Sequence, residues 1–473
     1  MVISPLKSTA RCGFLFLCAS CLLFINSSVF AENLYNFTDF ASFANQWLHT
    51  GCTSANGWCG GYDYDISGKV DVKDLYLFGE NWLTPKGPFR SDDIAAWIIK
   101  TGNVPQTWNY DRGFVLLSLY EKYQRCHNPT YLSCIKSWVD ALVNSSGVIT
   151  GYNKANYILD HVQPGNLCLI MYKHFGTAKY KTAADTLISL LVDQPTTFDD
   201  GFWHKQSYPR QMWLDGIYMA EPFAVRYASM FGDASWYDVA GYQCTLIATH
   251  TQHSQIYGSG TGLLYHGWDS SKFETPPLTP QGWAQPTYGH SPEYWGRAIG
   301  WYAMALVDCL DYIPDDDPCR PQMISILGDL AADLQTYQDP NNGPDANNGM
   351  WWQVVDKGYP RTTYPTNYTE TSCTAMFSYA LAKAVEKGYL PADPYLAVSR
   401  AGYEGLVANK LTYVSGYISL KDTVGVGSLG GYTTYSGGYA YYMDRNKCPL
   451  VINDLKGVGA FMRAALQYEK MSP

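Results

Sequence analysis

From Ser91 onward the chain repeats one device about a dozen times: an apolar stripe recurring every three or four residues, followed by a polar or glycine-rich break. The first copy carries Ile94, Trp97 and Ile98, with Ser91 as the expected cap before Asp92-Asp93 and Gly102 as the stop. Further helical runs begin near Tyr110, Thr130, Gly165, Lys179, Asp215, Trp236, Arg297, Arg320, Tyr368, Tyr395 and Asp454. A helix with a single apolar stripe has to bury it against another helix, so successive segments fold back as hairpins. About a dozen such helices, with long loops gathered at one end, predict an all-α domain closed as an (α/α)6 barrel (toroid) rather than a plain bundle.

The loops are unusual. Asp199 to Arg210, Gly258 to Pro292 and Tyr359 to Thr366 are rich in Gly, Pro, Trp and Tyr, and long ordered loops in a compact domain usually carry function. With 15 Trp and 39 Tyr the chain has more flat aromatic faces than a core needs, and such faces suit sugar rings; for any single Tyr, ordinary half-burial is an equal reading. The net charge of −9, without a Lys/Arg run, argues against nucleic acid, so an anionic ligand would need local cations.

At the N-terminus Lys7 and Arg11 precede an apolar run from Cys12 to Ile25, and Val29 and Ala31 stand where a signal peptidase cuts. Residues 1–31 therefore read as a signal peptide, which predicts a secreted, periplasmic or cell-surface protein. No other stretch is long enough to span a bilayer. Cys12, Cys18 and Cys21 lie in this leader, and the other ten of the 13 cysteines enter an oxidising compartment. Three sequence-local disulfides are expected, Cys52 with Cys59, Cys126 with Cys134 and Cys309 with Cys319, against buried free thiols as the alternative.

Residues 32–83 hold an internal repeat. TDFASFANQWL aligns with KDLYLFGENWL at an offset of 35 residues, matching Asp39, Phe43, Trp47 and Leu48 to Asp74, Phe78, Trp82 and Leu83, so two amphipathic helices with one common buried face are expected. Before the second copy, Asp63, Asp65, Ser67, the Lys69 carbonyl, Asp71 and Asp74 occupy positions one, three, five, seven, nine and twelve of a calcium loop, with Gly68 at its sharp turn. Alternating oxygen ligands in a tight loop suit a hard cation; Asx-turns are the bland alternative. The segment resembles a dockerin-like module, which implies structural Ca2+ and a cohesin-like receptor as partner. Its first copy has no acidic loop, so one calcium ion is expected. A Thr-Pro-Lys-Gly-Pro linker within residues 84–90 separates it from the helical domain, 91–473.

Several polar residues stand in aromatic company: Asp160 and His161 in ILDHVQPG, His204 in GFWHKQ, Asp215 in WLDGIYM, His266 in LLYHGWD and Arg297 in YWGRAIGW. A carboxylate among aromatic rings loses hydration of its charged form, so Asp215 is expected to have a raised pKa and to serve as an acid. Taken alone, Asp-Gly is also turn or cap chemistry.

Taken in order, LDH-x-x-PG, FWH, WLDG-x-YM-x-x-PF, YHGWD, YWGR-x-x-GW, WWQVVD, NYTETS, GSLGG and KGVG resemble glycoside hydrolase family 105, the unsaturated rhamnogalacturonyl hydrolases related to the unsaturated glucuronyl hydrolases of family 88. The resemblance covers roughly residues 89–473. It implies an (α/α)6 barrel and removal of the terminal 4,5-unsaturated uronic acid that polysaccharide lyases leave on pectin fragments. A conventional glycosidase flanks its bond with two carboxylates; a vinyl ether instead needs one acid at C4 and water at C5. By resemblance Asp215 is that acid, Asp160 the second carboxylate, and His204, His266, Arg297, Trp295 and Trp301 line the sugar, with Arg297 facing its carboxylate. No cofactor is implied for catalysis.

Two further motifs read as chemically silent. Gly425, Gly427 and Gly430 spell G-x-G-x-x-G without an expected strand before or helix after, and match the family's glycine loop over the active site instead. His250 and His253 lack a local acidic partner and are expected on a solvated helix face. The competing functions are a conventional glycosidase using Asp160 with Asp215 or Glu370, and a non-catalytic carbohydrate-binding scaffold protein.

Overall fold

A computed structural model describes residues 37–80, 90–100, 104–340, 349–429 and 437–471 of the chain. The expected leader, Trp82, Leu83, the expected linker up to residue 89, Gly102 and Gly430 lie outside the described residues. The chain divides into two compact units, Met1–Pro88 and Phe89–Pro473.

In the first unit the helices Phe37–Gln46 and Val72–Glu80 bring Phe43 and Phe78 together, ring centroids 5.1 Å apart, over Val70, Tyr64 and the disulfide Cys52–Cys59. So small a core is typically stapled. The common face expected from the repeat holds for the two phenylalanines but not for Leu48: it follows the first helix with a φ of 63° and stays 50% exposed.

The second unit contains twelve helices of eleven residues or more among its described residues. They are α1 (Arg90–Lys100), α2 (Tyr110–Cys126), α3 (Pro129–Leu142), α4 (Gly165–Phe175), α5 (Ala178–Val192), α6 (Leu214–Phe231), α7 (Ser235–Thr251), α8 (Gly296–Cys309), α9 (Arg320–Thr336), α10 (Thr371–Glu386), α11 (Ala392–Lys410) and α12 (Leu455–Met471). The even-numbered helices pack side by side in the cycle α2, α4, α6, α8, α10, α12 and back to α2, and each odd-numbered helix packs outside an even one, with α1 against α12. This is an (α/α)6 barrel, closed because the last inner helix packs back on the first. Inner helices touch neighbours on several sides and so carry no polar face: every residue of α8 is buried.

The barrel axis is filled. Trp301 packs against Phe114 and Tyr218, each with ring centroids 4.8 Å away, and below them Arg463 bridges Glu121 and Asp308 at 2.6 Å. Because alternate helices run back and forth, all six inner helices point the same way, and their N-termini meet at one end. Short two-stranded ladders decorate that end: β1 (Gln211–Trp213) with β2 (Gly267–Asp269), and β5 (Thr423–Val424) with β6 (Leu450–Val451); β3 (Leu411–Val414) pairs with β4 (Tyr417–Leu420).

Several expectations are corrected. Ser91 is no cap: α1 opens one residue earlier, and buried Ser91 donates its hydroxyl to Glu469 of α12 at 2.7 Å, a tie between the first and last helices of the barrel. Cys126, Cys134, Cys309 and Cys319 are free thiols. The Cys126 thiol turns back onto the Lys122 carbonyl of its own helix, while Cys319 lies against Gly241 of α7 and Met323. A strand does lead into the glycine segment, β5, though its two residues are too few for any periodicity to betray. His250 is not on a solvated face: it stacks on Trp268 at 3.6 Å and meets Asp199 at 2.7 Å, an acidic partner supplied by a distant loop. His253 lies between the hydroxyls of Tyr265 and Tyr294. Among the described residues no helix is long and apolar enough to cross a membrane.

Candidate active site

The β1–β2 ladder decides which side chains meet. Its register pairs Trp213 with Gly267, and the next step continues as Leu214 N–H donating to the His266 carbonyl at 3.0 Å. Asp215, in the first turn of α6, thereby arrives beside His266, with Oδ2 3.1 Å from Nε2. A second backbone chain does the same for the other acid: His204 N–H donates to the Gln211 carbonyl, and Leu159 N–H to the His204 carbonyl. Asp160, in the single turn Leu159–His161, then stands with Oδ1 3.6 Å from His204 Nε2.

Exposure separates acids from bases. The Asp215 and Asp160 side chains are 16% and 21% exposed, whereas His266 and His204 are 0% and 4% exposed, so the carboxylates reach the cleft and the imidazoles stand behind them. Aromatic rings hold both imidazoles. His204 stacks on Trp213 at 4.5 Å, Trp213 meets His266 edge-on at 5.2 Å, and Trp295 covers His266 at 4.7 Å. Tyr208 stacks on the Trp213 ring at 4.9 Å, and Trp283 and Leu429 complete this wall. The Gly427 backbone passes so close over Trp295 that a Cβ there would lie 2.4 Å from its ring. Only glycine fits that approach.

The two acids differ in charge state. Burial pushes the Asp160 carboxyl up to about 6; Lys205 opposes the rise and Asp215 adds to it. Burial also pushes Asp215 up, but the His266 imidazole beside it outweighs that and holds it below the ordinary carboxylate value. The expectation of a raised Asp215 is thus reversed. Aromatic company does desolvate the acid, but it also brings in a hydrogen-bonding base. Burial, with Lys205 next, lowers His204 to about 3, so it is neutral and its contact with Asp160 is no ion pair.

Arg297 lies elsewhere than its expected role implies. It is 1% exposed, sits 3.7 Å from the fully buried Glu370, and donates to the Ser372 hydroxyl and the Val424 carbonyl. Glu370 also accepts Val424 N–H at 2.9 Å and Cys373 N–H at 2.7 Å, so it clamps β5 to the start of α10 and is in no position to flank a glycosidic bond. Trp301 is 1% exposed between Phe114 and Tyr218, a floor beneath the site, with Tyr110 edge-on at 6.1 Å.

Residues not singled out from the sequence join the site. Lys205 lies over the Tyr208 ring at 4.0 Å, and no carboxylate stands within ion-pair distance of it among the described residues. Tyr442 places its hydroxyl 2.8 Å from His266 Nδ1. Lys205 could have been suspected because it follows His204 directly; Tyr442 sits in a tyrosine-rich run that reads as ordinary packing.

In the first unit, carboxylate oxygens of Asp63, Asp65 and Asp74 lie within 4.8 Å of one another, with Asp63 and Asp74 fully buried. Burial, reinforced by Asp74 and Asp65, pushes Asp63 up to about 6. The Ser67 hydroxyl lies 3.5 Å from Asp63 and 3.3 Å from the Lys69 carbonyl, while Asp71 pairs with Lys69 at 2.8 Å. Buried like charges are costly unless a cation joins them, so this donor set fits a hard divalent ion.

The profile described as Glycosyl Hydrolase Family 88 matches residues 91–472. The chain belongs to this family. The hydrolase is 33% identical to a glycoside hydrolase from family 105 of C. acetobutylicum ATCC 824, whose structure it matches with a TM-score of 0.72 over 80% of its own chain and 99% of that one. It is 37% identical over 212 residues to a 24.9 kDa protein in the picA locus of Rhizobium radiobacter, spanning 43% of the hydrolase and 80% of that protein. Over 295 residues it is 22% identical to the unsaturated rhamnogalacturonyl hydrolase YesR of Bacillus subtilis strain 168, spanning 61% of the hydrolase and 74% of YesR. The protein is therefore a glycoside hydrolase of the 88/105 grouping, and a carbohydrate-binding scaffold without catalysis is not favoured.

Proposed function

We propose that the hydrolase removes the terminal 4,5-unsaturated uronic acid from lyase-generated rhamnogalacturonan oligosaccharides. The observation that carries this reading is the Asp215–His266 pair: one accessible carboxylate held 3.1 Å from a fully buried imidazole, suited to holding and moving a single proton. An enol ether asks for that and no nucleophile. The substrate's own carboxylate and the expulsion of water on binding both push Asp215 back up, so its acid form is populated in the complex.

Asp215 then gives its proton to C4. The C4–H bond forms as the Asp215 O–H bond breaks, and positive charge spreads over C5 and the ring oxygen. Water adds at C5 and returns a proton to the Asp215 carboxylate, so the acid is regenerated. The resulting hemiketal opens, and the aglycone leaves from C1. Asp160 stands by as the second carboxylate, its charge favouring a proton on Asp215. Lys205, rather than the already paired Arg297, is the cation for the uronate, because it stands beside Asp160 with no carboxylate at ion-pair distance among the described residues. Trp213, Trp295 and Tyr208 supply apolar walls.

The test is incubation with an unsaturated rhamnogalacturonan disaccharide, following loss of its ultraviolet absorbance as the double bond is hydrated. Cleavage of saturated oligosaccharides instead would overturn the proposal. We also infer that Asp63, Asp65, Asp74 and the Ser67–Asp71 segment hold one calcium ion with a structural role, in a protein exported by its N-terminal leader.

A further inference from the structure

We propose that Tyr442 is a positioning residue for the acid Asp215, acting through His266, so that proton transfer depends on a three-residue line Tyr442–His266–Asp215. The proposal rests on Asp215 being the proton-transfer group.

The geometry is specific. The Tyr442 hydroxyl lies 2.8 Å from His266 Nδ1, and His266 Nε2 lies 3.1 Å from Asp215 Oδ2. Tyr442 and His266 are both fully buried, so bulk water does not compete for their contact. Burial holds the phenol pKa well above its ordinary value, so the group stays an O–H and can donate. When it donates to Nδ1, the imidazole carries its one hydrogen on Nε2, the ring nitrogen 3.1 Å from Asp215 Oδ2. Asp215 Oδ2 is the oxygen that faces this nitrogen, and Oδ1 is left to carry the proton to the sugar.

The line is braced along its length. Trp295 stacks on Tyr442 at 5.4 Å and also covers His266, so one indole fixes both rings. Tyr442 rides on the short helix Tyr439–Met443, whose Tyr439 N–H donates to Glu293 at 3.0 Å, and Glu293 is itself anchored by Lys357. The titratable groups facing this line are Asp160 and His204 from the loops, Tyr110 from α2, Glu293 from the lead into α8, and Tyr441 and Cys448 beside Tyr442. None of them contacts Nδ1 within hydrogen-bond distance among the described residues, so Tyr442 alone selects the tautomer.

Tyr442→Phe keeps the ring and removes the hydroxyl. Nδ1 is orphaned, the Nε2–H tautomer is no longer imposed, and Asp215 loses part of its donor. Its pKa then rises, so the acid form persists further and the descending limb of the kcat profile moves to higher pH. We expect kcat to fall about tenfold with KM within about twofold, and the descending limb to move up by about half a unit or more. A merely structural tyrosine would lower stability and leave the limb in place. The tautomer is read without substrate from the 15N shifts of selectively labelled histidine, assigned with His266→Gln: wild type should show a single Nε2–H form and Tyr442→Phe a mixture. Identical His266 signals in wild type and Tyr442→Phe, or a wild-type pH profile, would overturn the proposal. If wild type fails to act on unsaturated uronides, the functional reading falls while the tautomer measurement still decides the role of Tyr442. Should Tyr442→Phe not fold, a wild-type His266 spectrum showing the Nδ1–H tautomer is sufficient to overturn it.

Discussion

Asp215 meets His266 because the antiparallel β1–β2 ladder ends at Trp213 and Gly267, one residue short of His266 and two short of Asp215. A strand pair three residues long thus aligns an acid from the first turn of α6 with a base from a loop some fifty positions later. Asp215→Asn keeps the shape and removes the transferable proton. Turnover should fall on the order of 10³-fold with KM changed little. Activity within tenfold of wild type would take Asp215 out of the mechanism.

Asp160 bears on stability as well. Burial raises its folded-state pKa to about 6, so its contribution to stability is complete below the ordinary carboxyl range and is lost as pH rises through about 6. Asp160→Asn should therefore melt higher than wild type at pH 8, and the gain should shrink towards zero near pH 4. Scanning calorimetry at the two pH values checks this; an equal shift at both would mean that the ionised form carries no penalty.

Arg297 and Glu370 form a buried pair in which each is the other's main counter-charge. Glu370→Gln strands the arginine and releases the β5 backbone, and should cost about 3–5 kcal/mol. Arg297→Met should cost a similar amount, and the double variant less than the sum. Simple additivity in denaturant titrations would show that the two side chains act independently.

Lys205→Met tests the cation. If Lys205 meets the uronate, losing one charge-assisted hydrogen bond of about 1.5–3 kcal/mol raises KM by roughly 10- to 100-fold. The kcat should stay near wild type, because Lys205 lies beside the acids rather than among the reacting atoms. An unchanged KM would return the role to Arg297.

For the small unit, calorimetric titration of chelator-treated protein with calcium should show one binding event and a raised melting temperature for that unit. Asp74→Ala removes a buried ligand carboxylate and should abolish the event. A second event of equal size would mean that the first repeat also binds.

The twelve barrel helices were legible because each needs a periodic apolar stripe, and that periodicity is local; their starts fell within about three residues of the observed ones. Phe43 and Phe78 could be paired for the same reason, since the repeat prints its buried face twice. The acids and histidines were legible as residue types, because each stands in a motif of aromatic neighbours. Their partners were not. Arg297 reads as a free cation until α10 brings Glu370 beneath it, and His250 reads as exposed until a loop supplies Asp199. The disulfides expected at Cys126 and Cys309 failed likewise, because closeness in sequence says nothing about where a helix turns its thiol.

What the chain determines by itself is therefore the number and kind of its elements and the chemical inventory of its loops, since these depend on neighbours within a few residues. The charge state of that inventory was decided by tertiary structure alone. Whether a buried carboxyl rises, as Asp160 does, or is held down, as Asp215 is, depends on which base arrives within a few ångströms, and here that is settled by strand register and ring closure.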